Sequence, residues 1–359
     1  MSALFEPYTL RSLTIPNRVW MAPMCQYSAP VSGPETGVPG DWHLAHLAAR
    51  AAGGTGLIVA EATAVSPEGR ITPADLGIWN DAQVEGFRRI TRFLAEQGTI
   101  SALQIGHAGR KASTGRPWQG GAPLGADEGG WQPLGPSPVA FDDRHPVPTE
   151  LTVERIDEIV GQFAAAARRA REAGFQVVEV HGAHGYLIGE FLSPHSNRRT
   201  DAYGGSFENR TRLALRVVDA VRAEWPDELP VFFRISATEW LDEGGWTPDD
   251  TVRFADELLA HGVDLLDVSS GGNASGVRIP AAPGYQVPFA ARVKAETRLP
   301  VAAVGLITGA EQAEKILSNG EADAVLLGRE LLRDPVWARR AAVELGGSVA
   351  TPAPYHRAF

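Results

Sequence analysis

Cysteine is nearly absent from this sequence, because Cys25 is the only one among 359 residues. An intramolecular disulfide is therefore impossible, and zinc or iron–sulfur sites built from several cysteines are excluded. A lone thiol suits a reducing compartment, and we expect a cytoplasmic protein. Most unpaired cysteines are small core residues, so a chemical role for Cys25 needs support from its neighbours.

Long apolar runs and a basic leader segment are absent as well. No apolar stretch approaches the roughly 20 residues of a membrane-spanning helix, and the first residues, MSALFEPYTLRSL, lack the pattern of a targeting signal. Positive charge is in deficit, with 33 Lys and Arg against 43 Asp and Glu. We therefore expect neither a membrane nor a nucleic acid as partner, since phosphate backbones are bound through clustered cations.

The sequence is rich in short apolar segments that alternate with amphipathic ones. Eight of these segments are predicted to be strands buried on both faces, because their apolar residues run continuously. They are residues 19–24, 56–63, 100–105, 175–180, 231–236, 265–270, 301–307 and 322–328. Eight strand-and-helix units predict a (β/α)8 TIM barrel, with residues 1–359 as a single domain. The competing fold, an open doubly wound sheet, would normally carry a G-x-G-x-x-G fingerprint, which this sequence lacks.

Local signals add detail to this barrel. Residues 8–10 and 13–15 have the composition of a short hairpin, which we expect to plug the bottom of the barrel. Thr247 and Thr308 each precede an acidic residue by three positions and predict capped helix starts.

Two connections are much longer than the roughly 2–6 residues usual for such loops. Residues 26–40 follow the first strand, and the Gly- and Pro-rich residues 112–148 follow the third. Both come after the carboxyl end of a strand, which is the face on which barrel enzymes build their active sites. The longer segment is therefore predicted to be a lid or excursion at the site.

Polar side chains and glycines gather at the same predicted rim. Because strand ends that are far apart in sequence meet only in a barrel, the predictions of fold and site support each other. The candidate residues are Cys25, Tyr27, Glu61, Gln104, His181, His184, Tyr186, Arg234, Gly305, Gly328 and Arg329.

His181 and His184 allow two kinds of chemistry. A metal-dependent hydrolase would use them as ligands, but too few other His or Asp residues lie at strand ends to complete a coordination sphere. Two neutral imidazoles that donate N–H bonds to one ligand oxygen fit better. Such a pair would stabilise negative charge developing on a carbonyl oxygen.

The remaining candidates also have structural interpretations. Arg234 must face a polar cavity or be paired, with Glu179 or Asp267 as the partner, because an isolated buried charge is costly. Gly305 and Gly328 could be simple turns. Since both follow the last two strands, where barrels often bind phosphate, and Arg329 adds a positive charge, the phosphate interpretation is favoured.

Several segments resemble the Old Yellow Enzyme family of flavin-dependent ene-reductases, in particular its cysteine-containing, thermophilic-like branch. They include APMCQY (22–27), QIGHAGRKAS (104–113), HGAHGYLIGEFLSPHSNRRTDAYGGSFENR (181–210) and LLGRELLRDP (326–335). The resemblance implies a barrel that binds FMN non-covalently, takes a hydride from NADPH or NADH, and reduces activated alkenes by a ping-pong cycle. A flavin-binding protein without turnover remains an alternative.

The resemblance also implies individual roles. The flavin contacts fall on Pro23, Met24, Cys25, Ala62, Gln104, Arg234, Gly328 and Arg329. His181 and His184 correspond to the pair that binds the substrate oxygen, and Tyr186 corresponds to the proton donor. Tyr27 corresponds to a second phenol over the substrate.

The chain end, PYHRAF, resembles a tail that reaches the active site of a neighbouring subunit, with Arg357 as the inserted side chain. Residues 350–359 would then contribute to a homodimer or homotetramer. On this interpretation, removal of residues 354–359 raises the KM for enones and leaves the flavin bound.

Overall fold

The eight predicted apolar segments form a closed barrel of parallel strands in a computed structural model, which describes residues 2–358. In chain order the strands are β1 Tyr8–Leu10, β2 Leu13–Ile15, β3 Val19–Met21, β4 Leu57–Ala64, β5 Ile100–Gly106, β6 Leu134–Gly135, β7 Thr149–Glu150, β8 Val177–Gly182, β9 Val231–Ser236, β10 Leu265–Ser269, β11 Val301–Val304 and β12 Ala324–Leu327. The barrel order is β10-β11-β12-β3-β4-β5-β8-β9, so barrel strands that follow one another in the chain are neighbours in space. This confirms the (β/α)8 architecture.

Amphipathic helices connect these strands. In chain order they are α1 Asp41–Ala52, α2 Asp81–Glu96, α3 Val153–Glu172, α4 Leu187–Leu192, α5 Phe207–Glu224, α6 Pro248–Ala260, α7 Val287–Glu296, α8 Ala310–Ser318, α9 Arg329–Arg333 and α10 Trp337–Glu344. Within residues 2–358, no helix combines the length and apolarity that crossing a bilayer requires.

One of the two predicted helix caps is correct. The Thr247 side chain accepts a hydrogen bond from the backbone N–H of Asp250 and caps α6. The prediction for Thr308 is wrong, because α8 is capped by Gly309. The backbone N–H of Thr308 instead donates to the side-chain oxygen of Gln312 at 3.0 Å, which places the helix start one residue later.

The predicted hairpin closes the N-terminal end of the barrel. β1 and β2 pair antiparallel, and Leu10, Leu13 and Ile15 join the apolar cluster inside the barrel. Arg11 fixes the turn to the barrel through an ion pair of 2.6 Å with Asp264, the residue before β10. The hairpin therefore buries apolar surface that the open barrel end would otherwise expose to water.

The interior of the barrel changes from apolar to charged along its axis. On β8, β9 and β10, the residues Val177, Phe232 and Leu265 point inward and join the interior cluster. Their immediate successors pack outward against the helices, as alternation along a strand requires. Two positions further along, the inward residues are Glu179, Arg234 and Asp267, which are also buried. The next inward positions are His181, Ser236 and Ser269, at the rim.

The two long connections lie at that same end of the barrel. Trp131 of the 112–148 excursion donates its indole N–H to the carbonyl of Glu68, after β4, at 2.8 Å. The guanidinium of Arg70 lies 5.0 Å from a ring centroid of Trp131. These contacts attach the excursion to the carboxyl ends of the strands, as the sequence predicted.

Candidate active site

The turn after β8 places two imidazoles and a phenol side by side. His184 and Gly185 have φ angles of 60° and 69°, so the chain reverses in the left-handed region between His181 and Tyr186. The ring centroid of His181 lies 5.3 Å from that of His184 and 5.1 Å from that of Tyr186, in edge-to-face arrangements. All three predicted residues are therefore brought together.

The position of the His181 proton follows from its backbone contact. The backbone N–H of Ala183 donates to Nδ1 of His181 at 3.3 Å. Since a neutral imidazole carries one N–H, that proton is on Nε2, which is free to donate. Burial, followed by the charges of Arg234 and Lys111, lowers the pKa of His181 well below its ordinary value. The ring is thus a neutral donor at physiological pH.

The position of the His184 proton follows from a chain of hydrogen bonds. Nε2 of His184 lies 2.8 Å from Oγ of Ser269. The alternative acceptor for the Ser269 hydroxyl, Oε1 of Gln286, is 3.4 Å away and already accepts from Ser270 at 2.6 Å. We infer that Ser269 donates to Nε2 of His184, which leaves the proton on Nδ1.

His184 is also neutral. Burial is the largest cause that lowers the pKa of His184 well below its ordinary value, followed by the charges of Arg234, His181 and Lys111. Two neutral rings therefore each keep one N–H that the protein itself does not use. This arrangement can stabilise negative charge on an oxygen without transferring a proton to it.

The phenols and the thiol around this pair stay protonated. Burial, followed by the charges of Cys25 and Asp75, raises the pKa of Tyr186 far above its ordinary value. Burial also raises the pKa of Cys25 well above normal, and the thiol is hydrogen-bonded to Tyr27. Cys25 is therefore present as a thiol, and Tyr186 keeps the proton that a donor needs.

A buried polar layer lies beneath these residues. Nε2 of Gln104 donates to Oε1 of Glu179 at 2.8 Å, which directs the Gln104 carbonyl away from the carboxylate. Nε of Arg234 lies 3.0 Å from Oδ2 of Asp267, so the predicted ion pair with Asp267 is confirmed. The alignment of those two atoms is not that of a hydrogen bond, and Arg234 Nε has no hydrogen-bond partner among the described residues.

A cavity of about 160 Å³ opens beside this layer at the ends of β11 and β12. It is lined by Arg234, Gly305, Gly328 and Arg329, which are four of the predicted cofactor contacts. Gly305 has φ 121° and lies so close to Gln286 that an added Cβ would be 2.7 Å from its amide nitrogen. Two guanidinium groups and two side-chain-free backbone positions suit a phosphate and its ribityl chain, so the residues present fit FMN.

The other predicted cofactor residues border the same region. Met24 approaches Gly328, where an added Cβ would lie 3.6 Å from the Met24 sulfur. Pro23 and Cys25 are half-buried next to it in the segment after β3. Ala62 lines a small cavity together with His181 and Tyr186.

Glu61, also placed at the rim by the sequence, has a structural contact. The backbone N–H of Gln26 donates to Oε2 of Glu61 at 2.7 Å, and Nε2 of His43 lies 3.5 Å from Oε1. Burial raises the pKa of Glu61 to about 8. Glu61 therefore attaches the segment after β3 to β4 and α1.

Tyr27 and Arg357, the other two predicted substrate contacts, lie in connecting or terminal segments of the chain. Tyr27 has φ 50° and stacks edge-on against Trp118 of the excursion, with ring centroids 6.0 Å apart. Arg357 is exposed in the C-terminal tail of this chain, and the last residue of the predicted tail, Phe359, lies outside the described residues. The role of Arg357 in a neighbouring subunit stays a prediction.

Sequence reasoning missed Lys111, Ser269 and Gln286. Lys111 stands in a segment that carried the family resemblance, and Ser269 is the second-last residue of a predicted strand, so both had a positional signal. Gln286 precedes α7 in a loop and had none. The side-chain amide nitrogen of Gln286 donates to the carbonyl of Val304 at 2.9 Å. This bond fixes the position of the side-chain oxygen of Gln286, which the hydroxyls of Ser269 and Ser270 approach.

Comparison with known proteins identifies the family. The model of the NADH:flavin oxidoreductase / NADH oxidase family matches residues 3–346. This chain belongs to that family, the Old Yellow Enzymes. An NADPH dehydrogenase from Geobacillus sp. (strain WCH70) is 46% identical over 356 residues, which cover 99% of this chain and 98% of the relative.

Solved structures of two other reductases have the same fold. Morphinone reductase in complex with tetrahydroNAD is 30% identical, with a TM-score of 0.79, covering 99% of this chain and 93% of that one. A 2-naphthoyl-CoA reductase is 26% identical, with a TM-score of 0.85. This chain covers 52% of that longer protein.

Membership in the Old Yellow Enzyme family confirms several predictions. The protein is an oxidoreductase, its cofactor is FMN, and its reductant is a nicotinamide nucleotide. The alternative of a metal-dependent hydrolase receives no support from the family. Within residues 2–358, no group of three or more His, Cys, Asp and Glu side chains is arranged to hold a metal ion.

Proposed function

We propose that this protein is an ene-reductase that reduces the activated C=C bond of α,β-unsaturated carbonyl or nitro compounds. The pair of neutral imidazoles beside a protonated tyrosine supports this proposal most directly. Nε2–H of His181 and Nδ1–H of His184 are both left free by the protein. One carbonyl or nitro oxygen can accept from both, which draws electron density away from the conjugated alkene.

The cofactor FMN, when bound, would supply the two-electron chemistry, which is hydride acceptance from NADPH or NADH and hydride donation to the alkene. Arg234, Gly305, Gly328 and Arg329 would hold it in the cavity that they line. Pro23, Met24, Ala62 and Gln104 would supply the further contacts that the family resemblance implies. The nicotinamide and the alkene would occupy the same pocket in turn. A ping-pong cycle therefore needs no separate dinucleotide fingerprint.

The protein supplies the proton that the reduction requires in addition to the hydride. As negative charge forms on the substrate oxygen, the two imidazole N–H groups stabilise it, and the Tyr186 O–H protonates the α-carbon. One hydride and one proton then complete the reduction of the C=C bond. Tyr186 has to recover a proton from solvent before the next cycle. Cys25, held as a thiol, would adjust the reduction potential of the cofactor rather than attack the substrate.

We propose in addition that the working unit is a homodimer or homotetramer. The exposed position of Arg357 on its own chain suits a side chain that acts in the pocket of a second copy.

An anaerobic visible spectrum tests the proposed reaction. The purified protein should be yellow, lose its colour with NADPH, and recover it when 2-cyclohexenone is added. A yellow protein that is bleached by NADPH but not recoloured by enones would contradict the ene-reductase proposal. A yellow protein inert to both reagents would identify a flavin binder without turnover.

Replacement of both histidines tests the role of the imidazole pair. His181→Ala with His184→Ala should weaken binding of phenol to the oxidised holoprotein by about tenfold or more, since hydrogen bonds between neutral groups contribute about 0.5–1.5 kcal/mol each. His261→Ala is the matched control, because His261 pairs with Asp219 on the outer helices. Unchanged phenol affinity, or release of a stoichiometric metal ion, would contradict the assigned role.

A further inference from the structure

The ammonium group of Lys111 spans two rim loops behind the imidazole pair. Nζ of Lys111 donates to the carbonyl of His184 at 2.9 Å and to the carbonyl of Gly272 at 2.9 Å. The same nitrogen lies 5.1 Å from the ring centroid of Tyr186. One cation thus contacts the turn that carries His184 and the ring that supplies the proton.

The two loops joined by Lys111 approach each other very closely. A Cβ added to Gly185 would lie 2.5 Å from the carbonyl oxygen of Gly272, and one added to Gly272 would lie 2.7 Å from Cα of His184. At this separation, the carbonyl oxygens of His184 and Gly272 are brought together around one donor. Lys111 satisfies both, and without it two carbonyl dipoles would be left facing each other in a half-buried site.

The charge of Lys111 also acts on the imidazoles. It contributes to the lowered pKa of His181 and of His184, after burial and Arg234. A positive charge at this place disfavours protonation of the two rings. For the same reason it favours negative charge on an oxygen bound to their N–H groups. Lys111 can therefore act on the substrate oxygen without touching it.

We propose that Lys111 is a positioning residue for the oxyanion site: it braces the His184 turn against Gly272 and places a positive charge behind the two imidazoles. This inference rests on the proposed function, since it assigns a purpose to the imidazole pair. Lys111 is not among the residues proposed to contact the cofactor or the substrate.

The proposal predicts how the reaction depends on pH. Burial lowers the pKa of Lys111 to about 8, with Glu190 raising it and Arg110 lowering it. Above that pH the ammonium loses its charge and one donor, so the oxyanion site should weaken. His181 and His184 stay neutral throughout, and the phenol of Tyr186 stays protonated.

Glu190 is the titrating neighbour that has to be distinguished from Lys111. Burial raises the pKa of Glu190 to about 8, and its Oε1 accepts from the backbone N–H of Arg110 at 2.7 Å. Glu190→Gln keeps the shape of this side chain and removes its charge. Because Glu190 raises the pKa of Lys111, this variant should move the alkaline decline of activity to lower pH.

The test compares FMN-loaded wild type, Lys111→Met, Lys111→Arg and Glu190→Gln from pH 6 to 10. For wild type, kcat/KM for 2-cyclohexenone should fall above about pH 8. Lys111→Met should be about tenfold lower at pH 7 and lack this decline, since its side chain does not titrate. Lys111→Arg should retain activity to higher pH, because a guanidinium stays charged.

Hydrogen exchange of the same four proteins reports on the brace independently of turnover. Amides in residues 183–187 should exchange faster in Lys111→Met than in wild type or Lys111→Arg. A Lys111→Met protein with wild-type pH dependence and wild-type exchange would overturn the proposal. If wild type itself fails to reduce enones, the proposed function is wrong and the oxyanion role of Lys111 falls with it. Faster exchange in Lys111→Met would then show a structural brace only.

Discussion

The two ends of the barrel interior are equally buried and chemically opposite. At the N-terminal end, Val177, Phe232 and Leu265 pack with the hairpin into an apolar layer. Two residues along the same strands, the buried side chains are Glu179, Arg234 and Asp267, and the guanidinium of Arg234 pairs with Asp267.

The difference shows where the fold gains stability and where it gives some up for chemistry. Burial of apolar surface stabilises a protein by roughly 25 cal/mol per Å², so the hairpin end holds the barrel closed. Burial of charges is costly unless every group is paired. Asp267 pairs with Arg234, whereas burial, followed by the charge of Asp267, raises the pKa of Glu179 to about 8, so that Glu179 keeps its proton at pH 7. The polar end therefore contributes to cofactor binding and does not stabilise the fold.

The largest effect should come from removing the one cation of the polar layer. Arg234→Gln leaves the buried Asp267 carboxylate without its ion-pair partner, which should destabilise the protein by about 3–5 kcal/mol at pH 7 and abolish FMN retention. Both losses can be measured, by denaturant unfolding of the apoprotein and by the flavin content after purification. Stability should partly recover at pH 5, because burial raises the pKa of Asp267 to about 6 and its carboxyl then takes up a proton.

An intermediate effect is expected at the apolar end. Leu265→Ala removes a fully buried side chain and should cost about 2–5 kcal/mol of stability through lost burial and a cavity. FMN content and the kcat for enones should stay close to wild type, since two residues separate this layer from the polar one. Loss of flavin at unchanged stability would show that the two layers are not separate in function.

The smallest effect concerns the pH dependence of Glu179. Its pKa is raised in the folded state, so its contribution to stability is fully present at low pH and is lost as the pH rises through about 8. Between pH 7 and 9 this loss is about 1 kcal/mol. Glu179→Gln should remove it. The check is the difference in unfolding free energy between wild type and variant at the two pH values, in which groups common to both proteins cancel. A constant difference would contradict this assignment.

Most of the architecture was accessible from local patterns in the sequence. Continuous apolar runs predicted all eight barrel strands, since strands buried on both faces need no polar alternation. The cap at Thr247 was predicted because capping depends on residues three apart. The same rule failed at Thr308, where the chain follows a different turn and Gly309 takes the cap position.

The candidate site was predicted less completely. The positions of His181, His184 and Tyr186 followed from their place after a strand and from the family resemblance. The partner of Arg234 was narrowed to two carboxylates, and the strand register selected Asp267, which pairs directly with Arg234 across β9 and β10. Pairing of this kind depends on the stagger of the barrel, which local patterns do not contain.

The sequence by itself determined the barrel, the rim on which the site lies, the flavin family and the exclusion of disulfides and of metal sites built from several cysteines. These follow from composition, spacing and motif, all of which act over short distances along the chain. Only the tertiary structure decided which nitrogen of His184 carries the proton and that Lys111 lies behind the imidazole pair. Both depend on hydrogen bonds between residues far apart in sequence, such as Ser269 with His184 and Lys111 with Gly272. Such contacts form only when the closed barrel brings its strand ends to one rim.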